Sequence, residues 1–429
     1  MEKLFEKEKC CPENPKWEQA IKRENSLYNR NNSIRSEFER DYTRLLHSQA
    51  FSRLKHKTQV FYSPHNDHIC TRMEHVLHVA SVSTTIAKSL GLNEQLTQAA
   101  AIGHDIGHAP FGHHGEDCLN RLLEQKQGAN APKKFWHERN SLFFADYIET
   151  LYDPDGVARP LDLTYAVRDG LICHCGEIDQ QGIKPRDEAI DLYSIKRPGI
   201  VQPFTWEACV VKVSDKIAFL GRDIQDAFTY GIINNMTAYR QMREIVGSTL
   251  GIPAKGTQSM RSGRAVNPSV LINDLIVDLC NSSSPEKGLC FSENYFKFLQ
   301  EIKKFNFNFI YNHWRLQEFA IYAENIIQTI FRLLMKTHAY VKTGKVYIAL
   351  KRYPNLRESF EEWLIKYTVY QPYNKATGKF ENIKKGKKWN TPVVFDITDE
   401  ESYKKCVIEY ISGMTDQYAI KVYEEIITF

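Results

Sequence analysis

The chain has no uninterrupted apolar run of 18 residues, so neither a membrane-spanning helix nor a membrane partner is expected. Its first residues, Met1-Glu2-Lys3-Leu4-Phe5-Glu6-Lys7, are charged and lack the apolar stretch of a secretory signal, which points to a cytoplasmic protein. Cysteine occurs ten times, yet only Cys10-Cys11 and Cys173-x-Cys175 lie close together. Neither is half of a Cys-x2-Cys pairing, which excludes a zinc ribbon and favours free thiols in a reducing compartment. The chain also has no Gly-x4-Gly-Lys-Ser/Thr loop, no Gly-x-Gly-x-x-Gly turn and no His-Glu-x-x-His helix. Charge of one sign is not in excess either: 56 basic side chains face 52 acidic ones over 429 residues, a net +4. Overall charge therefore does not mark a nucleic-acid binder.

What the chain does have is crowded histidine. Of its 14 histidines, only His174, His313 and His338 lie outside the stretch from His47 to His137. Imidazole is both a common metal ligand and a general acid–base at neutral pH, so the crowding says where chemistry belongs.

Apolar spacing is helical nearly throughout, and the predicted fold class is all-α. Met73, Val76, Leu77, Ala80 and Ile86 lie at helical spacing, with Gly91 as the stop. Asn93 is the N-cap expected for the next helix, through Leu96, Ala99, Ala100 and Ile102. Further helices are expected from Cys118 to Leu123, from Trp206 to Ile224 and from Leu316 to Leu334. A last one is expected behind a Thr398/Glu401 capping box. Val346–Leu350 and Val393–Phe395 are the expected short strands. Segments 126–136, 179–203 and 252–268 have loop character and are expected to form lids or linkers. The expected division is an N-terminal extension over 1–34, a catalytic core over 35–250, a helical extension over 251–345 and a smaller C-terminal portion over 346–429. That last portion holds Tyr367, Tyr370, Tyr373, Phe380 and Trp389 interleaved with lysines. Such a stretch suits single-stranded nucleic acid, or equally a solvated loop with buried rings.

Glu74-His75 lies mid-helix, His104-Asp105 ends the following helix with Gly107 letting the chain turn away, and Asp215 lies inside a distant third helix. Imidazoles and carboxylates together make a mixed N/O set that suits a transition metal better than calcium. His113 and Glu116 are three apart, on one face if a helix begins near Phe111, and a carboxylate beside an imidazole makes a usable proton carrier.

In this order the motifs resemble the HD-domain deoxynucleoside triphosphate triphosphohydrolases, the dGTPase family. The resemblance is carried by Arg35 to Asp41, His47 to Leu54, Lys57-Thr58-Gln59-Val60-Phe61, Thr71-Arg72-Met73-Glu74-His75 and His104 through Glu116. It continues through Asp169 to Glu177, Asp215 to Asp223 and Met414-Thr415-Asp416. It implies an HD-domain helical core, with His75, His104, Asp105 and Asp215 as metal ligands and His113 and Glu116 as the catalytic pair. It implies substrate contacts from Gln59, Val60, Arg53, Arg72, His108, His137, Lys216, Phe219 and Asp223. Phe219 stands where the family usually has tyrosine, so a hydroxyl is missing there. For Asp223, a salt bridge with Arg222 or a neighbour is the rival reading.

The implied reaction is hydrolysis of a deoxynucleoside 5′-triphosphate, dGTP foremost, to the deoxynucleoside and inorganic tripolyphosphate, in control of dNTP pools. The implied cofactor is a divalent ion, manganese foremost, with magnesium, cobalt, nickel, iron or zinc as alternatives. The resemblance further implies a homo-oligomer, with a nucleotide or single-stranded DNA as an optional effector. The rivals are an HD phosphohydrolase acting on another nucleotide and a non-catalytic nucleotide sensor.

Overall fold

A computed structural model describes residues 3–25, 34–62, 68–123, 135–175, 181–234, 236–250, 268–374, 376–386 and 389–428. Most of two expected loops, 126–134 and 252–267, lies outside the described residues, as do Glu177, Lys375, Lys387 and Lys388.

The fold is mainly helical, as expected. Its longer helices are α1 (Glu37–Leu46), α2 (Arg72–Leu90), α3 (Glu94–Gly103), α4 (Gly112–Leu123), α5 (His137–Phe143), α6 (Tyr165–Cys173) and α7 (Trp206–Thr229). They continue as α8 (Met236–Leu250), α9 (Pro268–Ser282), α10 (Glu293–Asn306), α11 (Trp314–Lys336), α12 (Pro354–Tyr367), α13 (Glu400–Ser412) and α14 (Asp416–Ile427).

Local chemistry explains most boundaries. Thr71 and Glu74 form a reciprocal capping box at the start of α2, and Gly91 ends that helix in the left-handed region at φ 91°. The Asn93 side chain accepts the Gln95 and Leu96 amides at the start of α3, and Thr205 caps α7.

Helix α3 is the hub. Every residue from Ala99 to Gly103 is buried, and α1, α2, α6 and α7 pack around it. Small alanines allow this close approach from all sides. One apolar cluster runs through α1, α3 to α6 and α11 to α14, and a second joins α2 with α7 to α10. Helix α11 packs on α4, α13 and α14, which brings the C-terminal helices up against the histidine-rich segment.

Three local expectations are corrected. Asp399, not Thr398, caps α13: its carboxylate accepts the Ser402 amide at 2.7 Å, while the Thr398 hydroxyl turns back to Asp396. Asp399 is the residue whose carboxylate reaches the orphan amide. Val346–Ala349 is a short helix, because Val346 and Leu350 are the buried pair and their spacing is helical rather than alternating. Val393–Phe395 forms no strand; the Val394 and Phe395 amides both donate to the Tyr367 carbonyl instead.

The strands lie elsewhere. Thr150–Tyr152 pairs antiparallel with Ala158–Pro160, with Leu151 opposite Arg159. Within the C-terminal portion, Tyr373–Asn374 pairs with Lys379–Phe380. In the lysine/aromatic stretch Tyr367 and Tyr370 are core residues, and the Lys366 ammonium sits over the Trp389 ring.

Candidate metal and acid–base site

Three helices aim donors at one point. His75 stands on the first turn of α2, His104 follows the end of α3, and Asp215 lies midway along α7. Asp215 Oδ1 is 3.0 Å from His75 Nε2 and 3.9 Å from His104 Nε2. His104 is oriented from behind. Its Nδ1 donates to the Ala101 carbonyl at 2.6 Å, which leaves the Nε2 lone pair directed into the cluster. That Nε2 is buried and has no hydrogen-bond partner among the described residues. An orphaned imidazole lone pair beside a carboxylate and a second imidazole fits a divalent ion.

Asp105 Oδ2 is 3.8 Å from His104 Nε2 but only 2.5 Å from Arg72 Nη1, in a pair buried on both sides. Arg72 therefore reaches the site through Asp105. Burial opposes the charges of Asp105 and Asp215. It is outweighed at Asp105 by Arg72 and His104 and at Asp215 by His75 and His104, so both carboxyls stay below their usual range. Burial depresses His104, so it presents a neutral ligand.

Beside this trio lies a second group. Glu116 Oε2 accepts from His137 Nδ1 at 2.8 Å and stands 3.6 Å from His113 Nδ1. His113 is 69% exposed, whereas Glu116 and His137 are largely enclosed. His137 Nε2 is 3.8 Å from Asp105 Oδ1, which joins the two groups. His108 stacks on His137 with ring centroids 4.4 Å apart. Burial works against a charge on His137, but Glu138 and Glu116 outweigh it and hold its pKa up to about 10. Glu116 is held well below its usual range by His137 and His113, against burial. His108 is pushed far down by burial and by Arg72.

The backbone between the groups is clamped. Asp416 accepts the Thr58 amide with one oxygen and the Phe111 amide with the other, both at 2.8 Å. Phe111 has φ 65° and Gly112 φ 62°, so the turn that delivers His113 is left-handed at two successive residues. The buried Lys57 ammonium donates to the carbonyls of His108 and Ser412. Gly107 lies in the turn that follows α3, as expected, and does so without a positive φ. It is needed because α5 crosses there: a Cβ would fall 2.0 Å from the Ser141 amide nitrogen. Asn140 and Ser141 use this contact to hold Gly107 and the His104 carbonyl.

The remaining expected residues are spread more widely. Gln59 has a buried Oε1 with no partner among the described residues, and its carbonyl lies against Arg72. Val60 and Phe219 are half-buried against the second apolar cluster, and Lys216 is half-buried beside Asp215. Arg53 is turned onto Glu149 at 2.7 Å. Asp223 makes no pair with Arg222, which binds Asp226. It accepts instead from the Tyr311 hydroxyl at 2.6 Å, and burial lifts its pKa to about 7.

Sequence reasoning assigned no role to His174, Glu138, Asp416 or Tyr311. His174 Nδ1 donates to the Leu171 carbonyl, three residues back at a helix end, as His104 does to Ala101. That shared local pattern was the available signal. Tyr311 gave none, because its partner is 88 residues away.

A helical core in which a His-Asp pair meets a second histidine and a distant aspartate defines an HD-type metal-dependent phosphohydrolase. Residues 72–220 match the HD domain, and residues 289–345 and 387–425 match the phosphohydrolase-associated domain. A deoxyguanosinetriphosphate triphosphohydrolase-like protein of Clostridium tetani is 30% identical over 92% of this chain and 86% of its own. Its counterpart in Desulfatibacillum aliphaticivorans is 34% identical over 70% and 74%, and that of Caldanaerobacter subterraneus is 29% identical over 92% and 85%. The chain belongs to this deoxyguanosinetriphosphate triphosphohydrolase-like family.

Proposed function

We propose that the protein hydrolyses deoxynucleoside 5′-triphosphates, dGTP foremost, to the deoxynucleoside and inorganic tripolyphosphate, and so limits dNTP pools. The observation that carries this reading is the 3.8 Å approach of His137 to Asp105, which sets a proton-transfer group beside a metal-ligand set. The family of the relatives supplies the substrate class.

In this reading His75, His104, Asp105 and Asp215 hold a divalent ion, manganese foremost. When bound, it neutralises phosphate charge and makes water more acidic. His113 carries the proton between water or the leaving 5′-oxygen and solvent, and Glu116 fixes its ring. His108 and His137 face the phosphate chain. Arg72 keeps Asp105 ionised and oriented. On the sugar side, Gln59 Oε1, without a partner among the described residues, accepts from a deoxyribose hydroxyl, and Asp223 is held in place by Tyr311. A cytoplasmic homo-oligomer, open to a nucleotide or single-stranded DNA effector, completes the proposal.

The test is chromatographic analysis of products from all four dNTPs and GTP, with each of several divalent ions. Tripolyphosphate and deoxyguanosine are expected. Release of pyrophosphate or orthophosphate instead would sink the reading.

A further inference from the structure

We propose that His108, His113, Glu116 and His137 form a second metal site, selective for zinc, whose occupation blocks proton transfer. Only the inhibitory consequence rests on the proposed function; the site itself rests on geometry. Each of the four residues offers one ligand atom, and these atoms all lie within 4.8 Å of one another. Three imidazoles and one carboxylate make a nitrogen-rich set, which zinc prefers and magnesium or calcium does not.

His108 supplies the independent observation. It is wholly buried, and neither of its ring nitrogens has a hydrogen-bond partner among the described residues. A buried imidazole normally finds an acceptor for its N–H and a donor for its lone pair. Here its ring lies 5.0 Å from that of His113 and 4.4 Å from that of His137. The exposed His113 leaves a route from solvent, and its Nδ1, 3.6 Å from Glu116 Oε2, completes the set around an ion held by the three enclosed ligands. A zinc ion there displaces to solvent the proton between His137 Nδ1 and Glu116 and takes up the lone pairs of His113 and Glu116, the same electrons that proton transfer requires.

The two metal groups are separable by substitution. Full-length protein, stripped with chelator and dialysed against excess zinc alone, is analysed for bound zinc by mass spectrometry. The wild type is expected to retain two zinc ions. His113→Ala and Glu116→Gln are each expected to retain one, as is Asp215→Ala. A wild type that holds only one zinc, or a Glu116→Gln protein that still holds two, overturns the proposal. If Asp215→Ala keeps two while Glu116→Gln keeps one, the second site stands and the assignment of Asp215 to the first ion fails.

Discussion

Glu116 is bound more closely by His137, at 2.8 Å, than by His113, at 3.6 Å, although His113 is its neighbour on the helix. One carboxylate thus serves an enclosed imidazole and an exposed one. Glu116→Gln should lower kcat by about 10²–10⁴-fold, the range of general acid–base groups, while the ion assigned to His75, His104 and Asp215 stays bound. His113→Ala and His137→Ala should each lose activity on that scale. A near-normal rate for His113→Ala, in single-turnover assays, would remove it from the proton path.

Asp215 meets His75 and His104 from a helix remote in sequence, and His104 has no other partner for its Nε2 among the described residues. Asp215→Ala and His104→Ala should lose activity and the ion of this set together, one metal ion per chain fewer than the wild type. Elemental analysis beside a rate assay decides this; an inactive Asp215→Ala that binds as much metal as the wild type contradicts the assignment.

Gly107 faces the backbone of α5 with no room for a methyl group. Gly107→Ala must push α5 away and with it Asn140 and Ser141, which brace the His104 carbonyl. Overpacking of this kind costs about 1–3 kcal/mol or more. Urea denaturation should show that loss, and any folded fraction should bind metal poorly.

Asp416 ties the turns at Thr58 and Phe111 together. Asp416→Ala leaves two amides without their acceptor, at about 1–3 kcal/mol each where they stay buried. A lower melting temperature and a lower kcat are expected, with metal still bound. An unchanged melting temperature would show that the clamp contributes nothing.

Asp223 has a pKa lifted by burial to about 7, against an ordinary value of 3.8. Between those values the folded protein holds a proton that the unfolded chain releases. Stability contributed by this group is therefore present at low pH and declines as pH rises toward 7, by roughly 1.4 kcal/mol per unit. Asp223→Asn should flatten that part of the melting profile between about pH 4 and 7. A profile identical to that of the wild type would place the titration elsewhere.

Features set by neighbours along the chain were legible in advance. Asn93 starts a helix and Gly91 ends one through hydrogen bonds within a few residues, and both act as their types suggest. Short β pairings were not legible, because Thr150 to Pro160 depends on a partner strand rather than on its own pattern. At the site, His75, His104 and Asp215 do converge, while Arg53 is turned onto Glu149 and Arg72 is held by Asp105. Spacing says that an arginine is present, but only packing says which carboxylate reaches it first.

The sequence by itself determined a helical protein, the histidine-rich segment and the order of motifs that resemble one family. Helical periodicity, capping residues and motif order are all written along the chain. Tertiary structure alone decided that His137 binds Glu116, that Asp416 pins the Phe111 turn and that Tyr311 meets Asp223. Those pairs span 21 to 305 residues, and their geometry exists only once α3 has gathered the surrounding helices and excluded water between them.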